Sequence, residues 1–202
     1  MPKSATNLRA QLIAAGLARI EAVGAARLTL REVAAAAGVS HMGPYSHFRN
    51  KNELLSAIAA AGFVRLRKTL HAAARRHRDL AQAFLATGMA YEAFAHRSPQ
   101  LVSLMFGGLL PPRQQSPLLQ QARGQAFADL VGLVRGAQQV GHFRGMDAEV
   151  AALAGWAMAH GFCQLALGGE VRAKLRSHGS RQALAEAVLK IVVAGLEQGG
   201  PA

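Results

Sequence analysis

Apolar side chains recur at every third or fourth position along most of this chain, and this spacing predicts α-helices. In the first such segment Leu8, Leu12, Ala15, Leu17 and Ile20 recur at helical spacing, and Gly24 follows as a C-terminal cap. The beginning of the chain is therefore predicted to form an amphipathic helix that ends at this glycine.

Capping residues divide the following segment into three more helices. Thr29 precedes Glu32 by three positions, which is the spacing of a capping box that opens a second helix. Ser40 is predicted to cap a short third helix that ends near Phe48. Asn50 is predicted to cap a long fourth helix that continues to about residue 70.

The remaining sequence predicts further helices and no strand, so the fold class is all-α with about nine helices. Loops are indicated by prolines and glycines between the periodic segments. The five further helices are predicted over residues 79–97, 98–110, 117–141, 147–169 and 180–200.

Charge adds a candidate partner to this helical pattern. The formal net charge is +12, and residues 1–70 carry ten lysines and arginines against three acidic residues. A basic N-terminal third is typical of proteins that bind a polyanion such as nucleic acid. A solvated, arginine-rich surface is the other explanation of the same charge.

Composition bears on the compartment. The single Cys163 excludes an internal disulfide and fits a reducing, cytoplasmic location. The first ten residues lack the apolar segment of a signal peptide. Residues 150–169 are interpreted as a buried helix and not as a membrane span, so no membrane partner is expected.

The stretch GVSHMGPYSHFRNKNELL, residues 38–55, presents more polar and aromatic side chains than it can bury. A helix, a glycine turn and a second helix form the skeleton of a helix-turn-helix motif. Gly38 supplies the left-handed backbone of the turn. Val39, Phe48 and Leu54 are predicted to anchor it in a small core, and Pro44 lies where a missing N–H costs little.

The segment LTLREVAAAAGVSHMGPYSHFRNKNELLSAI resembles the N-terminal domain of TetR family transcriptional regulators. The resemblance covers about residues 7–60, and the helical remainder agrees in length. The positions that match the family pattern are Thr29, Gly38, Val39, Ser40, Tyr45, His47, Phe48, Lys51 and Leu54. The departure is Met-Gly-Pro at 42–44, where many members have a small residue followed by Leu or Ile, so the surface that meets the bases is unusual.

The resemblance implies DNA contacts for eight residues. Thr29, Tyr45, His47 and Lys51 would meet phosphates, whereas Ser40, His41, Met42 and Gly43 would face base edges in the major groove. The absent side chain of Gly43 would let DNA come close. Packing alone for Tyr45, a plain surface role for His47 and chance exposure of Met42 remain open alternatives.

The resemblance also implies a C-terminal domain that binds a small molecule and dimerises through its last two helices. Trp156, His160 and Gly161 resemble the Trp-His-Gly signature of one subclass. On a helix from residue 147, a stripe of small residues that includes Ala154 and Ala157 suits close packing, with a dimer interface as one place for it.

Bulky apolar side chains and one histidine are the candidate ligand contacts. They are Phe84, Met89, Met105, Phe106, Phe127, Trp156 and His160. Ordinary core packing is the alternative for most of them, and His160 could instead be a buried histidine satisfied by a neighbour. The spacing of His160 and Cys163 alone does not support a metal site, and no cofactor is expected.

These observations predict a sequence-specific DNA-binding transcriptional regulator, a homodimeric repressor that a small, mainly apolar ligand releases from its operator. Residues 1–55 would form the DNA-binding domain, and residues 56–202 the regulatory and dimerisation domain. An enzyme is not expected, because no nucleophile elbow, phosphate loop or metal cluster occurs. A non-specific architectural DNA-binding protein is the alternative function.

Overall fold

The computed structural model describes residues 5–199, with their side chains except those of residues 5–7, 175 and 176. This part of the chain forms nine α-helices and two short 3₁₀ helices, and it contains no strand. The α-helices are α1 (Ala5–Arg27), α2 (Leu30–Ala36), α3 (Lys51–Ala74), α4 (Leu80–Arg97), α5 (Pro99–Phe106), α6 (Pro117–Gln139), α7 (Ala148–Gly168), α8 (Arg172–His178) and α9 (Arg181–Glu197). The 3₁₀ helices are Gly43–Ser46 and Pro112–Gln114. The predicted all-α class is confirmed.

The helices group into two compact units. The first unit combines the chain up to Arg65 with Ser98–Gly124, and the second combines Leu66–Arg97 with the chain from Gln125 onward. Helices α3 and α6 each contribute one part to each unit. The functional boundary between residues 55 and 56 stays a prediction.

In the first unit, α1 packs against α2 and α5. Their contact surface buries the apolar face that the sequence predicted, because the helical repeat brings those side chains to one side. The fully buried side chains of this core include Leu12, Ile20, Leu28, Val33, Leu54 and Ile58. Gly24 has φ 73° and interrupts the helical backbone of α1 where the sequence predicted a cap.

Caps and one glycine fix the turn after α2. The capping box of Thr29 and Glu32 forms as predicted, with both reciprocal hydrogen bonds present. The turn continues through Gly38, whose φ of 67° is a conformation that L side chains rarely adopt. The N–H of Val39 then donates to the Ala34 carbonyl at 3.0 Å and closes the turn.

The third helix differs from its prediction. It is a 3₁₀ helix at Gly43–Ser46 with Met42 at its N-cap and no side-chain cap, so the predicted cap at Ser40 is wrong. The reason is local: the Ser40 carbonyl accepts the Gly43 N–H at 2.9 Å, so a turn precedes the helix. Val39 is half-buried rather than enclosed, whereas Phe48 and Leu54 are buried as predicted.

The second unit is built on α4, α7 and α9, which pack against one another. Phe84, Val134, Phe143 and Ala151 lie in its main core cluster. A Cβ at Gly155 would overlap the Phe84 ring, so the glycine allows α7 to approach α4 closely. Helix α8, between α7 and α9, is an element that the sequence pattern did not predict.

Helix α7 carries an unusually apolar surface. By length and composition it could cross a membrane, and a third of its most apolar window (33%) is buried. This is weak evidence for a span, because core helices of soluble proteins meet the same criterion. Leu153 and Leu165 are exposed on it, so the expectation of a wholly buried helix is wrong.

Candidate functional site

The segment from Ser40 to His47 presents side chains that the fold does not use for packing. Met42 is 59% exposed and Tyr45 is 53% exposed, although both are large and apolar. His41 is also exposed, whereas Pro44 is buried beneath it in the 3₁₀ helix. The turn therefore leaves the side chains of His41, Met42 and Tyr45 free to contact DNA, as the helix-turn-helix interpretation requires.

Gly43 has a structural role that the sequence did not suggest. A Cβ built at this position would lie 3.1 Å from Cγ2 of Val39. The missing side chain therefore makes room for Val39 inside the turn. This geometry offers a packing reason for the glycine, and a close approach of DNA at Gly43 stays a prediction.

Two of the four predicted phosphate-binding residues, Thr29 and Lys51, already have partners within the first unit. The Thr29 hydroxyl donates to Glu32 Oε2 at 2.8 Å, and the side-chain hydrogen bond from Thr29 is the main cause of a lowered pKa of Glu32. The Lys51 ammonium group donates to the Ala26 carbonyl near the end of α1. An ammonium group has three donors, so this bond leaves capacity for a phosphate. His47 is half-buried.

The predicted ligand residues belong to both units. Met105 and Phe106 lie in the first unit, where Met105 is buried and the Phe106 ring meets Phe63 edge to face at 5.2 Å between centroids. Both residues lie on α5, and ligand binding by either stays a prediction.

The other predicted ligand residues lie in the second unit, where they pack against different partners. Phe84 is buried against Phe143, at 5.4 Å between ring centroids. The Phe127 and Trp156 rings are 5.9 Å apart, and Met89 packs against a separate small cluster around Phe162 and Leu184. Ligand binding by any of these residues stays a prediction.

His160 hydrogen-bonds to a partner that the sequence did not reveal. Its Nδ1 lies 2.6 Å from the hydroxyl of Tyr91, a buried residue on α4. Gln164 Nε2 lies 3.3 Å from the other ring nitrogen. Burial lowers the pKa of His160 and raises the pKa of Tyr91, so both are neutral at pH 7. This is the alternative of a histidine satisfied by a neighbour.

We expect His160→Phe to lower the free energy of unfolding by about 1 kcal/mol, because it removes one hydrogen bond in a part-buried site. Tyr91→Phe should cost more, because the Tyr91 hydroxyl also has a side-chain hydrogen bond with Trp156. The double variant should lose less than the sum of the two single variants, since both changes remove the bond between Tyr91 and His160. Urea titrations of the four proteins measure this coupling, and additive losses would contradict it.

The pH dependence of the same variants gives a second readout. The pKa of His160 is lowered from 6.5 in the folded state, so the unfolded chain binds its proton more readily. Stability should therefore decline as pH falls below about 6.5, and His160→Phe should reduce that decline. An identical decline in both proteins would show that His160 does not contribute.

The thiol of Cys163 is unreactive. Burial, followed by the negative charge of Glu92, raises the pKa of its thiol to about 12, so the thiol stays protonated at neutral pH. Among the side chains that the structure describes, no group of three or more His, Cys, Asp and Glu residues is arranged to hold a metal ion.

A cavity of about 200 Å³ lies within the second unit. Its walls come from α3, α4 and α6 and are mostly apolar, with Leu70, Ala74, Ala126, Leu130 and Leu133 among them. Thr87 also lines it, but its hydroxyl already donates to the Phe84 carbonyl at 2.6 Å. An apolar cavity with a few convergent polar groups is the usual form of a small-molecule site.

Four charged or titratable residues also line this cavity. Arg67 Nε donates to Asp129 Oδ2 at 2.7 Å, and His71 Nε2 lies 2.8 Å from the same oxygen. Arg75, directly after α3, lines the cavity without an acidic partner among the described side chains. No sequence pattern indicated this cluster, because Arg67 and Asp129 are 62 residues apart.

The helix-turn-helix region and the helical second unit with its partly open cavity are typical of DNA-binding transcriptional regulators. Residues 12–58 match the bacterial regulatory proteins of the tetR family, and residues 84–192 match the tetracycline repressor-like C-terminal domain. The chain belongs to the TetR family. The match does not specify the Trp-His-Gly subclass, which stays a prediction.

Solved structures agree with this assignment. A protein of unknown function from Rhodococcus sp. RHA1 is 31% identical, with a TM-score of 0.84 over 98% of this chain and 100% of that one. The TetR family regulator PfmR from Thermus thermophilus is 20% identical, with a TM-score of 0.65 over 92% and 98%. The fatty acid degradation regulator FadR from Bacillus halodurans is 16% identical, with a TM-score of 0.71 over 94% and 96%. The last two show the fold alone. No curated protein matches the sequence.

Proposed function

We propose that this protein is a homodimeric repressor that binds a specific operator and leaves it when a small ligand enters the second unit. The observation that carries the proposal is the segment Ser40–His47. It exposes the side chains of Met42 and Tyr45, while Pro44 between them is buried. The proposal includes a DNA-binding region at 1–55, a regulatory region at 56–202 and a cytoplasmic location.

The dimer is supported by apolar surface that a single chain leaves exposed. Val150, Leu153 and Leu165 on α7 and Ile191 on α9 are all more than half exposed. Between them, Ala154 and Ala157 are exposed as well. A second copy would cover this face, since large apolar patches seldom stay in water. Leu184 and Leu196, on the same helix as Ile191, are buried within the chain and do not belong to this face.

The cavity supports the place of the ligand. Its wall includes the C-terminal part of α3, the helix that begins at Lys51. A ligand that binds one arrangement of this wall better than another shifts the equilibrium between them. The two DNA-binding regions of a dimer must lie about 34–36 Å apart to reach successive major grooves. A small displacement of α3 in each subunit would change this distance and abolish operator binding.

Operator binding is expected to weaken steeply with salt, by about 0.9 logarithmic units per decade of salt for each phosphate contact. Lys51→Met should weaken binding to all sequences and reduce that slope by about one contact per subunit. Fluorescence anisotropy across a salt series measures both. The matched control is Lys68→Met, an exposed lysine on the same helix. Equal slopes in the wild type and Lys51→Met would contradict this role.

His41→Ala and Met42→Ala should instead change which sequences are preferred, because base contacts carry specificity and phosphate contacts do not. Selection of bound fragments from a random DNA library, sequenced for each variant, tests this division. Selection without any preferred sequence in the wild type would favour the architectural alternative. Adding candidate ligands to the selected operator complex then tests release.

A further inference from the structure

The charged residues of the cavity between α3, α4 and α6 indicate the sign of the charge on its ligand. Arg67 and Arg75 are cationic side chains, whereas Asp129 is the one acidic residue among the described residues that line the cavity. Arg67 and His71 share Asp129, so the positive charge of Arg75 is not neutralised there. The charged part of the cavity wall is therefore net positive.

The remainder of the wall is apolar, with leucines from α3 and α6 facing the same space. The volume of about 200 Å³ is below the range of about 300–1,000 Å³ that drug-sized ligands occupy. A short alkyl chain is small enough for this space. The cavity thus combines apolar walls with a net positive charge.

We propose that the effector is an amphipathic carboxylic acid, with its alkyl chain between Leu70, Leu130 and Leu133 and its carboxylate paired with Arg75. Guanidinium groups bind carboxylates through charge-assisted, often bidentate hydrogen bonds. An alkylamine with the same chain length would be repelled by Arg67 and Arg75, because its ammonium group has the same charge. An alcohol with this chain would form no ion pair with Arg75. This inference rests on the proposed function, because it assigns chemistry to the proposed effector site.

The test uses the full chain and three probes of equal length: octanoate, 1-octanol and octylamine. Isothermal titration is expected to show octanoate binding at least about tenfold more tightly than octanol, because only octanoate forms the charge-assisted pair. Octylamine should bind most weakly. Equal affinities for octanoate and octanol, tightest binding of octylamine, or no binding of octanoate at millimolar concentration would each overturn the proposal.

Two neighbouring variants separate a specific contact from a general effect of charge. Arg75→Gln should lower the affinity for octanoate by about tenfold and leave the affinity for octanol unchanged. Arg76→Gln removes the same charge from the next residue, which lines a different groove, and should change neither. Equal losses in both variants would overturn the contact to Arg75.

Operator release is measured separately in the same samples. Octanoate that binds but does not release the selected operator would support the ligand chemistry and contradict the proposed regulation. A protein that selects no specific DNA would contradict the proposed function whatever octanoate does. Binding of octanoate that Arg75→Gln leaves intact would contradict the ligand chemistry alone.

Discussion

Ile191→Arg is expected to yield a monomer that binds operator DNA at least about a hundredfold more weakly than the wild type, since the two heads no longer act together. Ile191 is 69% exposed on α9, so it contributes to the exposed apolar surface shared with α7. An arginine at this position would place two like charges against each other across a symmetric interface, because each residue recurs on both subunits. Ala157→Arg on α7 should have the same effect.

Light scattering measures the mass, and anisotropy with the selected operator measures the affinity. The matched control is Gln139→Arg, which adds the same charge at an exposed position at the end of α6. It should remain dimeric and bind DNA as the wild type does. A wild-type monomer at micromolar concentration, or a dimeric Ile191→Arg variant, would contradict the proposed interface.

Arg181→Met is expected to destabilise the fold by about 3–5 kcal/mol, because it leaves a buried carboxylate without its counter-ion. Glu92, on α4, is 2% exposed and pairs with Arg181 on α9. Its other oxygen, Oε2, has no hydrogen-bond partner among the described residues. The guanidinium group is therefore the main compensation for burying this charge.

The double variant Glu92→Leu/Arg181→Met should recover most of that loss, since an apolar pair of similar size needs no compensation. The control is Lys190→Met, which breaks the exposed pair of Lys190 with Glu186 on the same helix and should cost at most about 0.5 kcal/mol. Urea titrations of all variants measure the differences. A loss below about 1 kcal/mol for Arg181→Met would show that solvent or another group compensates Glu92.

Most of the α-helices, and most of their ends, followed from the sequence, whereas α8 did not. The capping box at Thr29, the cap at Asn50 and the left-handed backbone at Gly38 involve residues within four positions of each other, so local chemistry was sufficient. The helical spacing of apolar side chains likewise predicted the buried face of α1. Where two short-range patterns competed, as at Ser40, the sequence alone favoured the wrong cap.

By itself, then, the sequence determined the all-α class and the glycine turn after α2, because these depend on local periodicity, caps and turns. Tertiary structure alone decided the rest. Apolar residues at helical spacing look the same in a core, a cavity or an interface, so only packing separated buried Leu184 from exposed Ile191. Partners distant in the chain, such as Tyr91 with His160 and Arg67 with Asp129, leave no local pattern, since the fold alone brings them within hydrogen-bond distance.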